Sequence, residues 1–228
     1  MNFLNPIVIV SKFVVFLYTG SLKTPPKDRL GSTVWWKLLV HRQRKLVRNQ
    51  QYEAGLFGDS ITSPLKDSLG KHVFNFAITA MSTRSLVEQL KVLVDSQVKC
   101  ITAIVAIGTN DAWYDIDDAT FTQLMKEAVY LLRQMGATRI VILPAFYSSV
   151  AASKNPFRAG TLARVEEVNT LLHQVVVTEN LYFADKEVQV LFENKAMKAN
   201  FTNDGVHLNS SGLKVYKQIL QELVKNRA

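Results

Sequence analysis

The stretch Ala54-Gly55-Leu56-Phe57-Gly58-Asp59-Ser60-Ile61 reads as the end of a buried strand running into a turn. The apolar run from Ala54 to Phe57 stops at Gly58, and the residues from Ile61 to Ser68 have the spacing of a following helix. Ser60 therefore sits at the carboxyl end of a strand, the edge at which ligands bind in open α/β sheets. A serine there becomes a nucleophile once a base lies within reach. Taken alone, Gly-Asp-Ser is also an ordinary turn tripeptide, so its meaning depends on what the rest of the chain brings to the same edge.

Downstream, strand-like and helix-like segments alternate. Ala54–Phe57, His72–Ile78, Cys100–Ile107, Thr138–Phe146 and the weaker Leu181–Ala184 read as strands. Between them, Leu86, Leu90, Leu93 and Val94 share a helical face, as do Phe121, Met125, Ala128, Leu132 and Met135. Val165, Val168, Leu172 and Val175 repeat the pattern, and Leu213, Tyr216, Ile219 and Leu223 close it. Gly136 marks a helix stop after Met135. Buried Val/Ile-rich strands in βα alternation imply a parallel sheet covered on both faces.

Two later stretches carry chemistry to that edge. The third strand ends in Gly108-Thr109-Asn110-Asp111, where the Asn110 carboxamide can donate to an oxyanion formed at a carbonyl attacked by Ser60. Asn203-Asp204-Gly205-Val206-His207 precedes the last helix. A serine hydroxyl needs a base at neutral pH, and His207 is suited to take and return its proton. Asp204 can accept from the far ring nitrogen and fix the tautomer. His41, His72 and His173 lie in a basic helix, at a strand start and beside an apolar helical face, and read as structural or surface residues. No histidine pair has metal-ligand spacing, and a single cysteine, Cys100, rules out an internal disulfide or a cysteine-rich metal site. No metal or cofactor is expected. Aromatic pairs after the third and fourth strands, Trp113-Tyr114 and Phe146-Tyr147, are candidates for the substrate wall.

Together these stretches resemble the SGNH, or GDSL-type, hydrolase family. The resemblance runs in order through Gly58-Asp59-Ser60, Asn75 with its following turn, Gly108-Thr109-Asn110-Asp111 and Asp204-Gly205-Val206-His207, and covers residues 52–225. It implies a flavodoxin-like, three-layer α/β/α sandwich around a five-stranded parallel sheet. It further implies a Ser60–His207–Asp204 triad and an oxyanion hole of Ser60 N–H, a second-block N–H and Asn110. Such a site would cleave a carboxylic ester, with a small acyl group or a lipid-like chain, through an acyl-serine. The sequence departs from the family at one point, where Ala80 stands in place of the usual glycine as second oxyanion donor. A turn requiring positive φ would strain an alanine there. Two alternatives stay open: an acyltransferase or thioesterase on the same triad, and a catalytically silent, membrane-associated interaction module.

Charge divides the chain. Residues 1–50 hold nine Lys/Arg and one acid, whereas the remaining 18 basic and 18 acidic residues cancel, so the whole net charge of +8 lies in the N-terminal part. A nucleic-acid binder would carry its basic patch on the folded body, so no nucleic-acid partner is expected. Three regions follow: an apolar segment and linker over 1–30, a basic amphipathic helix over 31–50, and the hydrolase domain over 51–228. The apolar run at residues 3–18 is interrupted by Asn5, Pro6 and Lys12 and is marginal for a spanning helix. A membrane-contacting anchor is its leading reading, ahead of a packed segment and of a cleaved signal. With cations following the run, the domain is expected to be cytoplasmic, touching a membrane surface through residues 1–50.

Overall fold

The computed structural model describes residues 28–225. Five strands form one parallel sheet: β1 Gln51–Gly58, β2 Val73–Asn75, β3 Lys99–Ala106, β4 Arg139–Ile142 and β5 Tyr182–Phe183. Their spatial order is β2-β1-β3-β4-β5, and every neighbouring pair is parallel. This is the flavodoxin-like winding, whose direction reverses between β1 and β3 and leaves a crevice outside their carboxyl ends.

Strand alternation sorts the core into two layers. Phe57, Val105, Ile140 and Ile142 face one side, under helices α1 Val34–Val47, α2 Thr83–Asp95, α4 Asp118–Gln134 and α6 Leu162–Glu179. Leu56, Ile104 and Val141 face the other, where α8 (Ser210–Lys225) covers them with Tyr216, Leu220 and Leu223. Three short helices complete the set: α3 Thr109–Tyr114, α5 Val150–Ser153 and α7 Asp185–Val188. The residues Phe121, Met125, Ala128, Leu132 and Met135 are all buried, as are Val165, Val168, Leu172 and Val175. Cys100 is buried within the first layer.

Helix α1 is part of this body. Thr33 caps it by accepting from Trp36 N–H, and it joins the first core layer through Trp36, Val40 and Val47, packing beside α2. Leu38 and Leu46, on the same helix, are exposed. The expected apolar segment lies outside the described residues, and the end of the linker forms a 3-10 turn at Leu30–Ser32. No described helix is long and apolar enough to cross a membrane.

Three elements differ from the sequence expectation, one of them β4, which stops at Ile142 where a strand to Phe146 was expected. Ile61–Ser68 is not a helix; it contains only a 3-10 turn at Ser63–Leu65, ended by Lys66 at φ 48°. Pro64 lacks the N–H that would continue helical bonding, while Ile61, Leu65 and Leu69 still reach the second core layer. Strand β2 is shorter than His72–Ile78, because the Asn75 side chain takes the Ala77 N–H. Phe76 N–H and Ile78 N–H nevertheless donate to the Leu56 and Gly58 carbonyls and keep the segment beside β1.

Candidate active site

Ser60 stands in the turn directly after β1, half-buried. Asp59 and Ser63 shape that turn, with Asp59 C=O accepting from Thr62 and Ser63 N–H and Asp59 Oδ1 accepting from Ile61 N–H at 2.9 Å. Gly58 is required by a close approach: a Cβ there would lie 2.6 Å from Thr62 Oγ1, which is itself bonded to Tyr216 OH at 3.0 Å. The turn is thereby fastened to α8, the helix that follows the histidine.

The histidine arrives on a pinched loop. A bridge between Thr202 and Leu208 closes its base, and Gly205 turns the chain at φ 82° where a Cβ would strike Ser149. Asn209 caps α8 by accepting from Gly212 N–H. Within the loop, Asp204 Oδ1 accepts from the Val206 and His207 N–H groups at 2.9 and 2.8 Å. Its other oxygen meets His207 Nδ1 at 2.7 Å, and His207 Nε2 lies 3.0 Å from Ser60 Oγ. Residues 147 positions apart in the chain thus form one hydrogen-bonded line. Burial pushes Asp204 up, but donation from the His207 ring and from two backbone N–H groups outweighs it and holds the carboxyl well below its usual range. The same bond to Asp204 raises His207 above its ordinary value; burial opposes, and the Asp204 and Asp59 charges add.

On the other side of Ser60 stands the turn after β2. Ala80 has φ 65°, so the position does demand the left-handed conformation that a glycine would adopt freely. Among the described residues nothing accepts from Ser60 N–H or Ala80 N–H, so both can donate to a ligand. Helix α3 grips this turn along its length. Asn110 Nδ2 donates to Met81 C=O at 3.0 Å, Tyr114 OH to Ala80 C=O at 3.2 Å, and Thr83 N–H to both Asp111 oxygens at 3.0 and 3.1 Å. The second Asn110 donor reaches Asp59 Oδ2 at 3.3 Å. Asp59 and Asp111 are fully enclosed, and burial pushes them up to about 6 and about 7 against the hydrogen bonds they accept.

The structure therefore gathers Ser60, His207, Asp204, Ala80 and Asn110 at one edge. Of the four aromatics expected at the substrate wall, Trp113 and Phe146 line a cavity of ≈ 20 Å³ with Asn110, Arg158 and Val206. Tyr114 and Tyr147 lie elsewhere, bonded to Ala80 and to Glu166. The positions of Asp59, Asp111 and Tyr114 in holding the turns at Ser60 and Ala80 were not read from the sequence. A signal for the two acids was present, since each follows a buried strand in a quoted motif, where a carboxylate must find donors.

A profile of the GDSL-like Lipase/Acylhydrolase family matches residues 54–215. No curated protein matches the chain by sequence. Among solved structures, a "putative platelet activating factor" from Streptococcus pneumonia aligns with TM-score 0.69 at 15% identity, over 97% of this chain and 100% of that one. A GDSL-like lipase from Bacteroides thetaiotaomicron aligns with TM-score 0.68 at 12% identity, over 84% and 98%. A lipase/acylhydrolase from Enterococcus faecalis aligns with TM-score 0.61 at 22% identity, over 77% and 96%. At these identities the structures speak for the fold. The profile, spanning well over half the sequence, places the chain in the GDSL-like lipase/acylhydrolase family, and it is a hydrolase of the SGNH type.

Left-handed backbone costs a non-glycine residue about 1–2 kcal/mol, and the extra freedom of an unfolded glycine returns about 0.4–1 kcal/mol of that. Ala80→Gly is therefore expected to stabilise the protein by about 0.5–1 kcal/mol, read as a higher urea midpoint with an unchanged slope. A lower midpoint would mean that the alanine methyl makes packing contacts worth more than the strain.

Proposed function

We propose that the chain hydrolyses a carboxylic ester with a short acyl group through an acyl-serine intermediate. The observation that carries this reading is the line from Asp204 through His207 to Ser60, with contacts of 2.7 and 3.0 Å. His207 Nε2 takes the proton from Ser60 Oγ as the oxygen forms a bond to the ester carbonyl carbon. The carbonyl electron pair moves onto oxygen, giving a tetrahedral oxyanion. Ser60 N–H, Ala80 N–H and Asn110 Nδ2 are its donors; Asn110 exchanges its longer contact, to Asp59, for the oxyanion and keeps the one to Met81. Collapse breaks the bond to the alcohol oxygen, which leaves with the proton from His207. Water then repeats the sequence, deprotonated by His207, and releases the acid. Asp204 stabilises the imidazolium in both steps without taking the proton.

Two features favour water and a short acyl group. His207 and Asp204 are each about half exposed, so water has open access to the base. The cavity beside Asn110 holds ≈ 20 Å³, close to the space one water requires. Trp113 is fixed there by its Nε1–H bond to Pro156 C=O, and Gly160 lies so close to the Ala112 backbone that a Cβ would come within 2.8 Å. The wall is therefore packed against α3.

Ser60→Ala should lower kcat by on the order of 10⁴-fold or more, with the fold unchanged by circular dichroism; near-native turnover would remove Ser60 from the reaction. His207 acts as a base only when neutral, and its pKa is raised. Activity should thus fall as pH drops, with the acid limb of kcat/KM centred above the ordinary histidine value of about 6.5. Asp204→Asn removes the cause of the shift and should move that limb to lower pH while cutting kcat by on the order of 10³-fold. A limb unmoved by this change would contradict the pairing.

In a series of p-nitrophenyl esters, kcat/KM should be highest for acetate or propionate. Each added methylene that finds no room costs a larger share of transition-state binding, about 1–3 kcal/mol per misfit. A maximum at octanoate would show that the wall opens and that the substrate is a long-chain lipid ester.

A further inference from the structure

The outer side of α1 is divided in a way that its role in the core does not explain. At about 100° per residue, Trp36, Val40 and Val47 point into the protein. Opposite them the helix presents Val34 and Leu38, which are 73% and 63% exposed, and on its flank, about 100° from the buried face, Leu46, which is 60% exposed. Lys45 and Arg42 are interleaved with these aliphatics, and Lys37, Arg44 and Arg48 run along one side of them, all exposed. Among the described residues none of these five cations joins an ion pair, and the segment 34–48 contains no acid. From residue 51 onward the charges of the chain cancel. The net positive charge of the described body is therefore concentrated on the outer side of this helix, among its own exposed aliphatic side chains.

We infer that this face of α1 docks the enzyme on an anionic lipid bilayer, with the helix lying along the surface. Cations beside an apolar strip are the pattern of an interfacial helix, whose aliphatics enter the headgroup boundary while the Lys/Arg flank meets phosphate and carboxylate. A nucleic-acid backbone would use the cations and leave Val34, Leu38 and Leu46 without purpose. Two further observations fit a bilayer. Trp35, half-buried at the border of the strip, is the residue type enriched at lipid–water boundaries. In sequence, the helix is preceded by the apolar run at residues 3–18, itself suited to lipid.

The placement also bears on catalysis. Only residues 48–50 separate α1 from β1, so the helix runs opposite to the strand and begins at the sheet edge that carries Ser60. Asp28, just before it, accepts from Ser82 Oγ beside the Ala80 turn. A docked molecule holds its active edge close to the lipid surface. Docking does not require the ester chemistry, and its measurement is independent of turnover.

The test is flotation of the full-length protein with vesicles of phosphatidylcholine alone or with roughly 30% phosphatidylserine. Association is expected with the anionic vesicles only, weakening as salt rises through about 0.5 M, where screening acts over a few ångströms. Arg42→Glu with Lys45→Glu should reduce it by about ten-fold or more, each charge near the surface counting for most of a ten-fold step. Leu38→Glu should weaken it comparably, with Val34→Glu as an independent second variant at another exposed site. All variants should keep the wild-type circular dichroism spectrum and urea midpoint, which shows that they are folded independently of turnover. Equal binding to both vesicle types, no binding to either, or variants that bind like wild type would overturn the inference. Tighter binding to a double-stranded oligonucleotide than to anionic vesicles would overturn it as well.

Discussion

Everything at the site depends on the parallel pairing of β1 with β3. Their register runs from Gln51 opposite Lys99 to Gly58 opposite Ala106, without a bulge, so the two strands expire together. The next residues of each chain are then forced out at the same edge, Asp59-Ser60 from one and Thr109-Asn110-Asp111 from the other. An antiparallel or slipped pairing would send one of these turns to the far end of the sheet or turn its side chains to the other face. The buried bond between Asn110 and Asp59 is the local consequence. It joins the two turns across the point where the sheet winding reverses.

Around that junction the protein invests polar groups at positions where they are costly. Asp59 and Asp111 are enclosed, and each is tolerated because it accepts hydrogen bonds from neighbouring backbone or amide groups. The left-handed Ala80 peptide is similarly over-determined, with its carbonyl held by Tyr114 and the following residues held by Asn110 and Asp111. Local strain persists only where its surroundings fix it in this way. The imidazole side is built differently. Asp204 and His207 are exposed on a loop ordered by bonds to its own backbone and by the bridge at its base, while the buried Gly205 ties it to Ser149, whose N–H donates to the Gly205 carbonyl. One half of the site is rigid through burial and the other through short-range hydrogen bonding.

Much of this was legible in the residues. The continuous apolar runs of β1 and β3, buried on both faces, and the four- and three-residue spacing of Phe121, Met125 and Ala128 reflect local geometry, which sequence records directly. Ser60 was legible because it follows a strand whose direction the parallel sheet dictates, and Asp204 and His207 because their motif stands just before the last helix. The replacement of a glycine drew notice to Ala80, and its φ of 65° shows that the turn does need the left-handed form. What escaped depends on tertiary contact. Ile61, Leu65 and Leu69 have helical spacing because they meet one core layer, yet Pro64 and the positive φ of Lys66 deny them a helix. Tyr114 and Trp113 are adjacent in sequence, but one turns to Ala80 and the other to Pro156, choices made by partners more than 30 residues away.

The central claim is that Ser60 is an activated nucleophile and not a spectator in a well-ordered turn. Labelling with a fluorophosphonate probe, followed by mapping of the modified peptide, addresses it most directly, because phosphonylation requires an activated serine and no knowledge of the substrate. The account predicts stoichiometric modification at Ser60 alone, slowed by orders of magnitude when His207 is changed to glutamine. A folded protein whose Ser60 stays unmodified, or whose labelling is indifferent to His207, would contradict it.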